Sequence, residues 1–147
     1  MFMQQGATFM MGRKVDGAIA KFRQAVQSEP NCGLCHRTLA DALARKSDRD
    51  AAIAEYREAV RIEPGNPELH FVFGTQLEAR GATLAHADYH FDPKRRTRRS
   101  ASSSLPKPAR NDYESALEHD RLVQQLAPDN TSYREACERL ASQLRTP

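Results

Sequence analysis

Two stretches of the chain match each other at a spacing of 34 residues. Each places a small residue, an aromatic residue, a second small residue and a proline at the same intervals: Ala18, Phe22, Ala25 and Pro30, then Ala52, Tyr56, Ala59 and Pro64. Small residues let a neighbouring helix approach closely, an aromatic ring fills the space between helices, and proline prevents a helix from continuing. The repeat therefore predicts an array of helix-turn-helix hairpins.

The period and the pattern of these stretches resemble the tetratricopeptide repeat (TPR), a family of right-handed helical solenoids that mostly bind other proteins. The resemblance implies an all-α fold in one domain over residues 1–147, with about three hairpins and a C-terminal capping helix. The boundaries that we expect are about 1–32 for repeat 1, 33–66 for repeat 2, 67–130 for repeat 3 and 131–145 for the capping helix.

The first helix of each hairpin shows the packing positions of the family. They are Phe2, Gly6 and Phe9 in repeat 1, then His36, Leu39, Ala40 and Leu43 in repeat 2, then His70, Phe73, Gly74 and Leu77 in repeat 3. The first helix of repeat 2 is predicted from about Gly33 to Lys46. Asn66 is expected to cap the corresponding helix of repeat 3, with Pro67 at its first position.

The repeat pattern breaks after Gly81 and resumes at Asp112, so residues 82–111 are predicted to be an insertion in the turn of the third hairpin. Extra chain costs little in a turn, because loop-closure entropy grows slowly with length. The helix that follows keeps the family's spacing at Ala116, Val123 and Pro128. Asp120 stands where the family has an aromatic residue, so this helix is expected to pack less tightly.

The insertion carries the positive charge of the protein. The net charge of the whole chain is +3, whereas residues 82–111 have seven basic and two acidic side chains. The basic cluster consists of Lys94, Arg95, Arg96, Arg98 and Arg99. With few apolar groups to bury, the segment is predicted to be disordered. A solvated linker is the favoured interpretation. The alternative is binding of nucleic acid or an anionic surface, mainly through phosphates and with strong salt dependence.

Cys32, Cys35 and His36 form a C-x-x-C-H sequence, which is the haem-attachment motif of c-type cytochromes. His70 occupies the same repeat position as His36 without neighbouring cysteines, so packing alone explains a histidine there. A structural zinc would need a fourth ligand, and no second C-x-x-C pair supplies it. We therefore expect reduced thiols and no cofactor. A haem or redox protein that uses these three residues is the second alternative.

Other chemical motifs are weak or missing. His86 and His90 would share one face of a continued helix, but the glutamate of an H-E-x-x-H zinc site is missing. The sequence has no G-x-S-x-G and no Gly-rich phosphate loop, so we expect no enzyme activity and no metal site. No apolar run is long enough for a membrane span, and the first residues lack the pattern of a secretory signal, which predicts a cytoplasmic protein.

The resemblance also implies where a ligand binds, because the first helix of each TPR hairpin lines the concave groove of the solenoid. The matching positions are Arg37, Asp41, Arg45, Phe71, Thr75 and Glu78, with Leu34 and Glu68 beside them. The arginines are expected to pair with acidic groups, and Phe71 to anchor an apolar side chain. Asp41 or Thr75 is expected to bond a peptide backbone. The favoured function is therefore a module that binds a peptide or a partner protein.

One TPR subgroup binds chaperones by clamping a C-terminal carboxylate with a set of Lys and Asn side chains. Arg37, Thr38 and Asp41 stand where part of that set is expected. The set is missing from this sequence, so the resemblance does not extend to a chaperone ligand.

Overall fold

The computed structural model describes residues 1–12, 14–87 and 107–145 of the chain. The regular structure within these ranges consists of seven helices and no strand, as the repeat predicted. The helices are α1 (Phe2–Met11), α2 (Val15–Ser28), α3 (Gly33–Arg45), α4 (Arg49–Ile62), α5 (Pro67–Ala87), α6 (Lys107–Leu126) and α7 (Thr131–Arg145). None of the described helices is long and apolar enough to cross a membrane.

The chain divides into two compact units, Met1–Leu69 and His70–Pro147, called unit 1 and unit 2 below. The division falls within the first turn of α5. Unit 1 therefore contains α1 to α4, and unit 2 contains nearly all of α5 together with α6 and α7. The single domain expected from the sequence stays a prediction.

The core of unit 1 is built from the residues that define the repeat. Helix α2 packs against α1 and α3, and α3 packs against α4. The small and aromatic residues of the two matching stretches are at most 5% exposed: Ala18, Phe22, Ala25, Ala52, Tyr56 and Ala59. The predicted packing positions of α3 are buried as well: His36, Leu39, Ala40 and Leu43. Burial of this stripe, and not local helix propensity, supplies most of the stability of such helices.

Helix α1 approaches α2 most closely at Gly6. A Cβ atom placed on Gly6 would lie 2.3 Å from Cε1 of Phe22, a distance that no real contact permits. The glycine is therefore required by the Phe22 ring, which is the aromatic residue of the first repeat. Helix α1 has no side-chain cap at Met1.

Asn66 caps α5 as predicted. Its side-chain Oδ1 accepts hydrogen bonds from the backbone N–H of Glu68 at 3.1 Å and of Leu69 at 3.4 Å. Pro67 follows as the first helical residue, where its missing N–H costs nothing.

The limits predicted for the insertion are wrong at both ends. Helix α5 continues past Gly81 to Ala87, and α6 begins at Lys107, before Asp112. Two contacts explain the extra turns. The Arg80 guanidinium donates to both carboxylate oxygens of Asp112, at 2.8 and 2.6 Å, and a Cβ placed on Gly81 would lie 3.2 Å from the Ala109 carbonyl oxygen. These contacts join α5 to the first turns of α6. Residues 88–106 lie outside the described ranges.

Candidate functional site

The predicted ligand positions in unit 1 form a stripe along α3. Leu34, Arg37, Asp41 and Arg45 follow one another at intervals of three or four residues, so they share one face of the helix. Leu34 is 57% exposed, although it is a large apolar side chain. Arg45 at the other end of the stripe is also exposed, whereas Arg37 and Asp41 are half-buried.

Arg37 is positioned by an ion pair with Glu68. The distance from Arg37 Nη2 to Glu68 Oε1 is 2.5 Å, and the arginine side chain keeps 25% of its surface exposed. The hydrogen bond between them raises the pKa of Arg37 and lowers the pKa of Glu68. The guanidinium is therefore held in place and charged, with part of its surface open to a ligand.

Asp41 has an internal partner. The hydroxyl of Tyr56 on α4 donates a hydrogen bond to Asp41 Oδ1. Burial raises the pKa of Tyr56, and the bond to Asp41 raises it further. Asp41 therefore fixes the aromatic residue of the second repeat. Its predicted contact with a peptide backbone is the weaker interpretation, because one carboxylate oxygen is already bonded within unit 1.

In unit 2, helix α7 contacts two of the positions that the resemblance gave to a ligand. The ring of Phe71 lies 4.7 Å from the ring of Tyr133, and Glu78 forms an ion pair with Arg139 at 3.0 Å. The Thr75 hydroxyl donates to the Val72 carbonyl oxygen of its own helix at 2.7 Å. Phe71 and Glu78 thus contribute to the packing of α7, and the groove contacts predicted for them stay predictions.

Unit 2 also contains a histidine pair, buried His70 and half-buried His119, that the sequence did not reveal as a pair. The Nδ1 atoms of His70 and His119 lie 2.9 Å apart, and the ring of Phe73 lies 4.6 Å from that of His119. Burial, together with the neighbouring His70, lowers the pKa of His119 to about 4. His119 is therefore neutral at physiological pH and functions in packing.

The disulfide between Cys32 and Cys35 contradicts the expectation of reduced thiols. Both sulfurs lie at the start of α3, where Cys32 Sγ accepts a hydrogen bond from the backbone N–H of Cys35 at 3.1 Å. The carboxylate of Glu29 lies within 4.8 Å of both sulfurs, which makes the three residues a group of potential metal ligands. While the sulfurs are bonded to each other, only Glu29 offers a metal a normal ligand atom.

His36 is buried, and each of its ring nitrogens faces a hydrogen-bond acceptor. Nδ1 lies 2.7 Å from Glu55 Oε2, and Nε2 lies 3.0 Å from the Pro30 carbonyl oxygen. In this arrangement neither nitrogen is available to bind iron, and both sulfurs of the motif are joined to each other. The geometry therefore opposes haem attachment and gives His36 a structural function.

Two sets of predicted residues lie outside the part of the chain that the structure describes. These are the basic cluster Lys94, Arg95, Arg96, Arg98 and Arg99, and the histidine pair His86 and His90, of which the structure describes only the backbone of His86. Anion binding by the cluster and metal binding by the pair stay predictions.

No protein-family model matches the sequence, and no curated protein is significantly similar to it. Solved structures do match. The first TPR domain of Spaghetti (RPAP3), bound to the HSP90 peptide SRMEEVD, is 15% identical; the match covers 97% of this chain and 90% of that chain, with a TM-score of 0.68. The TPR2B domain of yeast Sti1, in a complex with pHsp70, is 18% identical, with 97% and 94% covered and a TM-score of 0.65.

A third similar structure is the type III secretion chaperone SycD of Yersinia enterocolitica, in complex with a peptide of the translocator YopD. It is 14% identical, with 97% of this chain and 86% of that chain covered and a TM-score of 0.64. The chain has the TPR fold, as the 34-residue repeat predicted.

Proposed function

We propose that this protein is a peptide-binding module and that the exposed face of α3 is its contact surface. The observation that carries the proposal is the combination of an exposed leucine with two arginines on one helix face: Leu34, Arg37 and Arg45. Arginine is enriched among the few anchor residues that supply most of the affinity of a recognition surface.

The dimensions of this face fit a short extended segment. At 1.5 Å of rise per residue, the distance along α3 from Leu34 to Arg45 is about 16 Å. An extended peptide covers that distance with about five residues. The expected ligand therefore has an apolar side chain near one end and acidic groups nearer the other.

The charges of the face favour an acidic ligand. Arg37 is oriented by Glu68 on one side, so its remaining N–H groups can donate to a carboxylate in a fixed geometry. Arg45 adds a second positive charge at the exposed end of the helix. The similar folds support a peptide ligand, since the first TPR domain of RPAP3 was solved with a peptide that contains three acidic residues.

The test is a selection from a library of randomised heptapeptides, followed by calorimetry with the selected peptide. We expect the double variant Arg37→Ala/Arg45→Ala to lose about a hundredfold in affinity, since each charge-assisted contact is worth about 1.5 kcal/mol and 1.4 kcal/mol is a factor of ten. The matched control is Arg23→Ala/Arg57→Ala, which removes the same charge from exposed positions of α2 and α4.

Unchanged affinity in the α3 variant would refute the proposed surface. An equal loss in both variants would mean that the net charge, and not the α3 face, attracts the peptide. Selection of no peptide at all would count against the proposed function itself.

A further inference from the structure

The cysteine pair is not explained by the repeat that surrounds it. The residues 34 positions after Cys32 and Cys35 are Asn66 and Leu69. Asn66 caps α5 through its side-chain oxygen, and Leu69 is 1% exposed. The repeat therefore requires a hydrogen-bond acceptor at the first position and an apolar side chain at the second, and neither requirement needs sulfur.

Both cysteines meet these structural requirements in addition to forming a disulfide. Cys32 Sγ is the cap acceptor of α3, and Cys35 is 3% exposed in the core of unit 1. Asn66 and Leu69 show that other residues would serve both purposes. The start of α3 differs from the start of α5 in the bond between the two sulfurs.

The two cysteines differ in burial. Cys32 is half-buried, whereas Cys35 is buried beneath the start of α3. A thiol from solution therefore reaches Cys32 first. Leu34, which lies between the two cysteines in sequence, has an exposed side chain.

We propose that Cys32 and Cys35 form a thiol–disulfide exchange centre in which Cys32 is the sulfur that reacts with a partner dithiol. This inference does not rest on the proposed peptide binding. It follows the redox alternative of the sequence analysis, because the disulfide joins the two sulfurs of the C-x-x-C sequence to each other.

The reaction proceeds in two exchanges. A thiolate of the partner dithiol attacks Cys32 Sγ, the bond between Cys32 and Cys35 breaks, and Cys35 leaves as a thiolate that takes up a proton. The second thiolate of the partner then attacks the partner sulfur that is bonded to Cys32. This step releases Cys32 as a thiolate, which is protonated in turn. Two electrons pass from the partner to the protein, and the partner becomes a disulfide. The reverse sequence oxidises the pair.

The environment of Cys32 contains two opposing influences on the thiolate. The N–H of Cys35 and the positive end of the α3 dipole stabilise negative charge on Cys32 Sγ. The carboxylate of Glu29, within 4.8 Å, disfavours that charge. Glu29 therefore slows the attack by Cys32, and its neutralisation is expected to accelerate exchange.

The first experiment uses the full chain with Cys137→Ser, so that only the pair is counted. The protein is equilibrated with mixtures of reduced and oxidised dithiothreitol and then alkylated. Mass spectrometry counts the alkylated thiols. We expect one reversible two-electron transition, with the helix content by circular dichroism unchanged across it. A pair that stays reduced at every mixture, or that oxidises only between molecules, would overturn the proposal.

The second experiment identifies the reacting sulfur. Reduced protein is treated with less than one equivalent of iodoacetamide, and the modified position is located by fragmentation of the peptide. Cys32 is expected to carry at least ten times more label than Cys35, and Glu29→Gln is expected to raise the labelling rate of Cys32 several-fold. Equal labelling of the two cysteines, or a rate that Glu29→Gln leaves unchanged, would refute the assigned roles.

The matched control gives the start of α3 the residues that the start of α5 has at the same repeat positions. The double variant Cys32→Asn/Cys35→Leu has the cap and the core residue of Asn66 and Leu69. We expect it to keep the helix content of the parent and a melting temperature within about 4 °C of the parent's, because asparagine is a preferred N-cap and leucine a preferred core residue. A variant that fails to fold would show that the disulfide is structural and would overturn the proposal.

Discussion

Asp120 is buried at the repeat position that Phe22 and Tyr56 occupy in the two earlier hairpins. It is 2% exposed, and its Oδ2 has no hydrogen-bond partner among the described residues. A Cβ placed on Gly74 would lie 3.1 Å from its Oδ1, so the small residue of α5 leaves room for the carboxylate. Burial and, to a smaller extent, the charge of Glu78 raise the pKa of Asp120 to about 6, and Arg139 partly opposes the shift.

The variant Asp120→Asn is expected to be more stable than the parent at neutral pH. The pKa of Asp120 rises from 3.8 to about 6 on folding, so its contribution to stability is complete below pH 3.8 and is lost as the pH rises through 6. We expect the melting temperature of the variant to exceed that of the parent by roughly 4 °C at pH 7.5, as about 1 kcal/mol produces in a domain of this size. The advantage should disappear at pH 4. Thermal unfolding by circular dichroism checks this, with exposed Asp129→Asn as control.

His119 is expected to oppose Asp120 in the same pH range. Its pKa falls from 6.5 to about 4 on folding, so its contribution is complete above pH 6.5 and is lost as the pH falls through 4. His70 faces it from α5, and Glu78 and Arg139 face Asp120 from α5 and α7. The Asp120→Asn variant lacks the pH dependence that comes from Asp120. Its free energy of unfolding should therefore rise steadily with pH between 4 and 6.5. A flat profile in that variant would contradict the assigned His119 pKa.

Gly6 gives a second test at the scale of one residue. The variant Gly6→Ala is expected to lose about 1 to 3 kcal/mol, because an added methyl group overpacks the contact with the buried Phe22 ring. The control is Gly65→Ala, where no atom lies within 4 Å of an added Cβ. That variant should be neutral or gain about 0.5 kcal/mol. Urea unfolding of both proteins measures the difference, and equal stabilities would show that α1 shifts to accommodate the methyl group.

An ion pair between Arg80 and the buried carboxylate of Asp112 joins α5 to the beginning of α6. Asp112 is 6% exposed and receives two hydrogen bonds from Arg80. Removal of one partner leaves a partly buried charge without compensation, and this costs more than the pair contributes as a whole.

We expect Asp112→Asn to destabilise the protein by about 2 to 3 kcal/mol, less than the roughly 3 to 5 kcal/mol of a fully buried pair, because the Arg80 side chain keeps 27% of its surface exposed. The ends of α5 and α6 should exchange their amide hydrogens faster in the variant. Glu114→Gln on the exposed face of α6 is the control and should change stability by less than about 0.5 kcal/mol. A variant as stable as this control would contradict the role of the pair.

The helices could be predicted from the sequence because their signals are local. The spacing from Ala18 to Ala25 identified the buried side of α2, and Asn66 with Pro67 marked the start of α5. The ends of α5 and α6 could not be predicted, because they depend on a contact between Arg80 and Asp112, which are distant in sequence. Opposite charges at these two positions predict a contact only when the hairpin that brings them together is known.

The predicted ligand positions differ between the two units in whether another helix covers them. In unit 1, Leu34 and Arg45 are exposed as the resemblance implied. In unit 2, Phe71 and Glu78 contact Tyr133 and Arg139 of α7. The sequence predicts a capping helix over 131–145 but does not say which face of α5 it contacts, because many helix faces satisfy the same apolar pattern.

Two basic regions of the sequence underlie the two competing hypotheses of function. One is the α3 face of unit 1, and the other is the basic cluster within residues 94–99. The proposed function assigns peptide binding to the first region. We therefore expect that replacing all five basic residues of the cluster by glutamine leaves the affinity for the selected peptide unchanged within twofold.

The same five-residue variant tests the alternative function. If the cluster binds nucleic acid, retention of the parent on immobilised DNA should fall steeply with salt and should be lost in the variant. Absence of retention in the parent would eliminate the alternative. Loss of peptide affinity in the variant would instead contradict the assignment of binding to α3.

Peptide binding along the exposed face of α3 can be observed residue by residue through amide chemical-shift mapping. The full chain is titrated with the selected heptapeptide. We expect the largest shifts within α3 (Gly33–Arg45), above all at Leu34 and around Arg37, and we expect them to disappear in Arg37→Ala/Arg45→Ala. Shifts concentrated on α4 or α6, with α3 unaffected, would show that the peptide binds elsewhere and that the α3 face is not the contact surface.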